Sequence, residues 1–340
     1  MSKERVFYLD FIRAFATVVI VLCHFNALFI YNCNNPQSAV ITLYVGNIYI
    51  GAFGVSLFLI ITGVAMMYVY GEKEKIDLKH FYKRRFVTIY PTFWVCYFLI
   101  FLLNFYENKG LPDIPKKNIV FSVIGLDGYL SNFGIRTFYY VGEWFLGFIL
   151  LIYIIIPFII FLAKRKVWVL IAATAVLYVF SLIFFKDKSY VGLLITTRLP
   201  EIVFGMIFIK YIKNVKWYFA LGAFIIIVLN HLIKPSFIDQ NIQVTYIGIL
   251  SFVVLVFLSK YLSNFFTRNL CSVICKYSYS CFIIHHYIIS RFATTFDLQS
   301  ITPFYSWLLF MFCGVMVIVA SFLLYQINDK VMLLFSKNKA

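Results

Sequence analysis

The sequence predicts an all-α integral membrane protein, a bundle of about ten transmembrane helices. Of its 340 residues, 63% are hydrophobic and only 13% are charged, whereas about a quarter of the residues in a soluble domain are charged. The apolar residues also fall into runs close to the roughly 20 residues that a helix needs to cross the hydrocarbon core of a bilayer. These two observations exclude an ordinary soluble domain.

Ten spans result when the apolar runs are cut at charges, prolines and asparagine clusters. Their approximate bounds are 7–29, 46–70, 86–106, 139–163, 167–185, 191–209, 217–233, 244–259, 272–290 and 304–326. The seventh and eighth are short and could be tilted or re-entrant. The only sizeable loops are expected at 70–85, which is basic, and at 106–138, on the outer side. We expect residues 1–340 to form a single transmembrane domain without a soluble domain.

Basic residues predict that both termini are cytoplasmic. The chain has 30 Lys and Arg against 14 Asp and Glu. With the N-terminus inside, 19 basic residues fall in cytoplasmic segments, 8 in outer segments and 3 within spans, as the positive-inside rule requires. That rule also accounts for the basic balance, so we expect membrane lipids and not nucleic acid as partners. The first span contains Asp10, Arg13 and His24, which argues against a cleaved signal peptide.

The first helix carries ionisable residues that a membrane tolerates poorly. Arg13 and His24 are eleven residues apart, which places them on one face and about 16 Å apart along the axis. Asp10 can neutralise Arg13 from one turn away. An extended pantetheine arm of a coenzyme A thioester has about that reach. Alternatively, Asp10 and Arg13 set the topology and His24 is a packing residue; spacing alone leaves both interpretations open.

Further ionisable residues occur at a similar predicted depth on other helices. Ser278 and His285 are two turns apart and share a face. Arg198 and Glu201 can pair at i, i+3, and this pair could be purely structural. Glu143, beside Trp144, is either an interfacial carboxylate or a partner of His24. We expect His24 and His285 to face one polar cavity, with Glu143 or the Arg198 and Glu201 pair in its outer wall.

Cysteine spacing predicts neither a disulfide framework nor a metal site among the seven cysteines. We therefore expect no metal and no tightly bound cofactor. The basic run Lys83, Arg84 and Arg85, ahead of Tyr90 and Pro91, could bind phosphates or simply anchor a cytoplasmic loop.

Five motifs in order resemble those of the membrane-bound acyltransferase 3 family, bacterial inner-membrane enzymes that acylate carbohydrates. The resemblance covers about residues 5–326. The matching segments are Tyr8 to Ala14 with His24, Gly54 to Phe58 through Gly63, Lys83 to Pro91, Trp144 to Leu146 with Pro157, and Ser278-Tyr279 with His285. Thr62, Thr88 and Phe282 depart from the family pattern, in which Ser, Arg and Tyr are usual.

The resemblance implies transfer of an acyl group, usually acetyl, from cytoplasmic acyl-coenzyme A (acyl-CoA) to a hydroxyl of a surface or exported polysaccharide. Acetyl-CoA or succinyl-CoA would be the donor. A polysaccharide or lipid-linked glycan would be the acceptor, and polysaccharide biosynthesis or export proteins would be potential partners. The implied location is the bacterial cytoplasmic membrane.

His24 is expected to act as general base, because imidazole exchanges protons near neutral pH. Arg13, with Asp10, would orient the donor. The expected acyl-CoA-binding residues are Arg84, Arg85 and Tyr90, and the expected acceptor-side residues are Glu143, Trp144, Arg198, Glu201, Ser278 and His285. A tunnel would connect Arg13 and His24 to both sides of the membrane.

Two other function classes remain open on the sequence. Intramembrane ionisable residues also occur in transporters, so a flippase or transporter for a lipid-linked or small anionic solute is the alternative. A membrane subunit that scaffolds polysaccharide assembly is the third interpretation.

Overall fold

The computed structural model describes residues 6–32, 35–212 and 214–337. Twelve α-helices and one two-stranded hairpin make up its regular structure. The elements are α1 (Phe7–Ala27), β1 (Tyr44–Val45), β2 (Ile48–Tyr49), α2 (Ile50–Tyr70), α3 (Leu78–Asn108), α4 (Ile119–Val123), α5 (Asp127–Ser131), α6 (Trp144–Arg165), α7 (Val167–Phe184), α8 (Ile195–Ile207), α9 (Trp217–Ile233), α10 (Gln240–Tyr261), α11 (Phe265–Ala293) and α12 (Pro303–Lys337). Single π-helical turns extend α1 through Asn32 and α8 through Ile212.

Eight helices within the described residues are long and apolar enough to cross a membrane. They are α1, α2, α3, α6, α7, α8 with its flanking turns, α10 and α12. The all-α membrane bundle predicted from the sequence is therefore confirmed. Each of the ten predicted spans coincides with a helix, but α9 is only 17 residues long and α11 carries many polar side chains. The count of ten and the cytoplasmic termini stay predictions.

Two predicted helix starts are wrong. Residues 46–49 belong to the hairpin, in which Gly46 and Asn47 have φ of +53° and +67°. Two left-handed residues form the tight turn that joins antiparallel strands, so α2 begins only at Ile50. Residues 139–143 precede α6, and Gly142, with φ of +72°, is incompatible with a right-handed helix there.

One compact unit comprises residues 1–23, 42–76 and 154–275. Within it, α2 and α8 pack with their backbones in contact. A Cβ on Gly63 would lie 2.0 Å from the carbonyl oxygen of Ile202, and one on Gly205 would lie 2.1 Å from that of Ile60. Small residues at a helix crossing permit this approach, and it brings the polar side chains of α8 against α2.

The second compact unit comprises residues 24–41, 77–153 and 276–340. Its segment between α3 and α6 was expected to be an outer loop, but it returns along α3. Trp94 Nε1 donates to the carbonyl of Val123 at 2.8 Å, and the Tyr90 hydroxyl donates to that of Ile124 at 3.0 Å. Tyr90 lies 18 residues before Asn108, about 27 Å along a helix. Such irregular backbone is tolerated at depth where protein donors satisfy its carbonyls.

Candidate active site

Three histidine rings meet in the second unit. His24 lies in the last turn of α1, and its ring centroid is 4.9 Å from that of His285 and 5.0 Å from that of His286. Asn26 fixes this turn, because its side-chain amide donates to the carbonyl of Ile41 at 3.0 Å and accepts from the backbone N–H of Val40 at 2.8 Å. His24 itself is half-buried, so its ring is not sealed off.

His285 on α11 is fully buried, and its hydrogen bonds determine its tautomer. Nδ1 lies 2.9 Å and 3.0 Å from the carbonyl oxygens of Cys281 and Phe282. Because carbonyls only accept hydrogen bonds, Nδ1 carries the proton and Nε2 keeps its lone pair. Nε2 is buried and has no hydrogen-bond partner among the described residues. An unused acceptor of this kind is costly unless a ligand fills its need.

A backbone contact places Glu143 beside these rings. The amide of Gly142 donates to the carbonyl of Ile283 on α11 at 3.1 Å. This contact brings Glu143 next to His285 and His286. Nδ1 of His286 lies 3.4 Å from Oε1 of Glu143, although Oε1 accepts no hydrogen bond in the described part of the chain.

The catalytic cluster, as we call His24, Glu143 and His285, offers three ligand atoms that all lie within 4.8 Å of one another. These side chains come from α1, the turn before α6, and α11. Imidazole nitrogen and carboxylate oxygen are both proton acceptors. The arrangement can therefore receive a hydroxyl group or a cation, and His24 and Glu143 are half-buried.

Asp127 and Tyr139 form a second layer behind Glu143. Asp127 is buried, and burial raises the pKa of its carboxyl to about 7. Burial, and then the neighbouring carboxylates of Glu143 and Asp127, raise the pKa of the Tyr139 hydroxyl well above its ordinary value. Tyr139 consequently stays neutral and can donate a hydrogen bond.

A different polar cluster lies in the first unit, where α8 contacts α2. Arg198 Nη1 is 3.1 Å from Glu201 Oε1, and the two side chains are 4% and 0% exposed. The Ser56 hydroxyl donates to Glu201 at 2.7 Å, and Arg198 Nη2 donates to that hydroxyl at 3.3 Å. Nε of Arg198 and Oε2 of Glu201 have no hydrogen-bond partner among the described residues. The i, i+3 pair considered from the sequence is present and sealed.

The expected donor-binding residues lie on α3 in the second unit. Arg84 is exposed, whereas the Arg85 guanidinium lies over the rings of Phe81 and Tyr153 at 5.4 Å and 4.8 Å. The hydroxyl of Tyr90 already donates a hydrogen bond to the carbonyl of Ile124. Of these residues, Arg84 is the one placed to meet a phosphate in solution.

Comparison with known proteins decides the family. The family model described as an acyltransferase domain matches residues 6–326. The chain belongs to the acyltransferase 3 family. The comparisons with curated proteins and with solved structures gave no match. This multi-pass membrane protein is thus an acyltransferase.

The remaining residues expected at the site of this acyltransferase are Asp10, Arg13, Trp144 and Ser278. Asp10 and Arg13 lie on α1 in the first unit, so their place on a path to His24 stays a prediction. Trp144 opens α6 and packs its ring on Phe148 at 5.8 Å. Ser278 lies two turns before His285 on α11.

Sequence reasoning missed two features of the candidate site. His286 contacts His24 and Glu143, although it was not among the residues expected at the site. Gly142 positions Glu143. In the sequence, the only indication of this role is that a glycine directly precedes a carboxylate at the start of a helix. Both roles depend on contacts between segments far apart in the chain.

Proposed function

We propose that this acyltransferase moves an acyl group from cytoplasmic acyl-CoA to a hydroxyl of a carbohydrate on the outer side of a bacterial cytoplasmic membrane. Acetyl is the acyl group to test first, and succinyl the second. The observation that supports this proposal is the convergence of His24, Glu143 and His285 with acceptor atoms directed at one another. An acyltransferase needs a group that removes the proton of the acceptor hydroxyl as the new ester forms.

The reaction balances without an added reagent. The hydroxyl oxygen attacks the thioester carbonyl, a C–O bond forms, and the C–S bond breaks. The sulfur leaves with the electron pair of that bond, and the proton of the hydroxyl ends on the sulfur as the CoA thiol. The catalytic cluster would hold the hydroxyl and its proton during the attack. The His24 ring lies close to the rings of His285 and His286 on α11.

The donor would be bound by basic residues at the start of α3. Arg84 is exposed there, and a guanidinium pairs well with the phosphates of CoA. Arg85 and Tyr90 would shape the neighbouring surface, while Arg13, with Asp10, would orient the donor. We propose Trp144 and Ser278 as residues on the acceptor side of the site. The acceptor would be a polysaccharide or a lipid-linked glycan. Residues 1–340 would form a single transmembrane domain.

Transfer from labelled acetyl-CoA tests this proposal against the transport alternative. Purified protein in liposomes is given [14C]acetyl-CoA with a panel of oligosaccharides, and both CoA thiol and label on carbohydrate are measured. We expect equal amounts of thiol and labelled ester, and a loss of about 1,000-fold in His24→Ala. His231→Ala, at an exposed histidine on α9, is the matched control and should keep its rate. Label that crosses the membrane without becoming attached to carbohydrate would favour a transporter, and full transfer by His24→Ala would refute the role of the cluster.

A further inference from the structure

We infer that His24, Glu143 and His285 bind one divalent transition-metal ion, with zinc as the first candidate. Two histidines and one carboxylate are a recurring ligand set of catalytic zinc sites, which keep a further position open for a substrate or water. The binding itself is independent of the reaction proposed above. Only the use of the ion, argued below, rests on that proposed function.

The distances are close to those that an ion requires. Three ligand atoms within 4.8 Å of one another leave an ion at their centre at most about 2.8 Å from each, and reaching the zinc–nitrogen distance of about 2.1 Å needs shifts of about 0.7 Å. Side-chain rotations of this size require no change in the backbone. His24 and Glu143 are half-buried residues, whereas Oε1 of Glu143 and Nε2 of His285 are buried atoms.

Two atoms that could bind the ion are not used by the protein. Nε2 of His285 is buried, keeps its lone pair and has no hydrogen-bond partner in the described part of the chain. Oε1 of Glu143 accepts no hydrogen bond there either. A neutral imidazole nitrogen and a carboxylate oxygen are the forms that ligate a metal.

An outer layer already orients His285. Metal-binding histidines usually donate their second ring N–H to a carbonyl or carboxylate, and Nδ1 of His285 lies at hydrogen-bond distance from two carbonyls of its own helix. This arrangement leaves Nε2 as the ring nitrogen available to a metal.

Nitrogen and carboxylate ligands together select the class of ion. Imidazole suits zinc, copper, iron and nickel, whereas calcium and magnesium prefer oxygen ligands alone. If the proposed acyl transfer holds, the ion would bind the acceptor hydroxyl at the open position and make it a stronger acid. His24 would then act as a ligand rather than as the proton acceptor that the sequence predicted.

Zinc content tests the site directly. The full chain is purified in detergent with a histidine-free tag, incubated with one equivalent of ZnCl2, passed over a desalting column, and analysed by inductively coupled plasma mass spectrometry. We expect one zinc per chain in the wild type and in His80→Ala, the matched control. His285→Ala and the isosteric Glu143→Gln should bind zinc at least about 100-fold more weakly.

A second variant and a second measurement test the metal site if His285→Ala folds poorly. Glu143→Gln conserves the shape of the site, and Co2+ in place of zinc should give an intense visible absorption in the wild type that Glu143→Gln loses. Zinc retained by none of the proteins, or equally by all of them, overturns the inference. Full transfer by zinc-free protein overturns the use of the ion. Zinc bound by the wild type without any acyl transfer counts against the proposed function and leaves the metal site standing.

Discussion

The polar clusters of the two units use their ionisable groups in opposite ways. In the first unit, Arg198 and Glu201 neutralise each other at 3.1 Å and are almost inaccessible. In the second unit, Glu143 is 13% and His286 50% exposed, and the acceptor atoms of Glu143 and His285 are not used by the protein. Glu143 lies in the turn before α6, and the other ionisable residues of the two clusters lie on α1, α8 and α11, which are predicted to lie in the membrane, where charge is expensive.

The difference separates a structural group from a reactive one. A pair whose charges neutralise each other can hold α2 and α8 together, and Arg198 and Glu201 are almost inaccessible, although Nε of Arg198 and Oε2 of Glu201 also lack a hydrogen-bond partner among the described residues. A cluster with unused lone pairs is less stable when nothing is bound, because its buried acceptors lack partners. A substrate or ion that binds there can satisfy those acceptors. Depth in the membrane and residue type alone would not have distinguished the two.

Removing one partner of the sealed pair should produce the largest loss of stability. Arg198→Ala leaves Glu201 as an uncompensated buried charge, which costs about 3–5 kcal/mol. Thermal melting in detergent, followed by size-exclusion chromatography, measures the loss. The matched control is the double variant Arg198→Met/Glu201→Leu, which should recover most of the stability because no charge remains. An unchanged melting temperature in Arg198→Ala would contradict the structural role.

A smaller effect is expected from the glycine that positions Glu143. Gly142 and Gly134 have φ of +72° and +78°, so alanine at either position carries a similar backbone penalty of about 1–2 kcal/mol. Only Gly142 donates to the carbonyl of Ile283 and precedes Glu143. We expect Gly142→Ala to lower acyl transfer about 10-fold through misplacement of Glu143. Gly134→Ala should lose comparable stability and keep its rate of acyl transfer. Equal rates of acyl transfer in the two variants would contradict the role of Gly142 in positioning Glu143.

A third effect concerns the pH dependence of stability at Asp127. Burial raises the pKa of this carboxyl to about 7, so between about pH 4 and pH 7 the folded state keeps a proton that the unfolded chain has lost. Stability therefore falls as the pH rises through this window. Asp127→Asn cannot ionise, so its melting temperature should fall less between pH 5 and pH 8, and its stability relative to the wild type should rise by about 2–3 kcal/mol over that range.

Buffers that differ only in pH, with wild type and variant melted side by side, check this expectation. Tyr97 and Tyr139 face the same carboxyl, and both are expected to remain neutral over this range. The same change of melting temperature with pH in both proteins would contradict a buried, protonated Asp127.

The helical architecture could be predicted because its cause is local. Long apolar runs must form helices in a bilayer, and each predicted span lies on a helix. The hairpin at 44–49 was missed because Tyr44, Val45, Ile48 and Tyr49 are as apolar as the helix that follows. Only the left-handed Gly46 and Asn47 break the pattern.

The candidate site could be predicted only in part. Intramembrane position singled out His24, His285 and Glu143, because such residues are rare there. The same criterion also selected Arg198 and Glu201, which are paired and sealed. The return of the segment after α3, the contact of Gly142 with Ile283, and the place of His286 all depend on tertiary contacts that no periodicity encodes.

The most direct test of the account compares the same substitution in the two clusters. Glu143→Gln and Glu201→Gln each remove one carboxylate and keep the shape of the side chain. Turnover of [14C]acetyl-CoA is measured per folded molecule, with folded protein quantified by size-exclusion chromatography. The account predicts that Glu143→Gln loses about 100-fold in turnover at near-normal stability, whereas Glu201→Gln loses stability and keeps turnover within about 5-fold per folded molecule. Normal turnover in Glu143→Gln, together with a loss of turnover in well-folded Glu201→Gln, would contradict it.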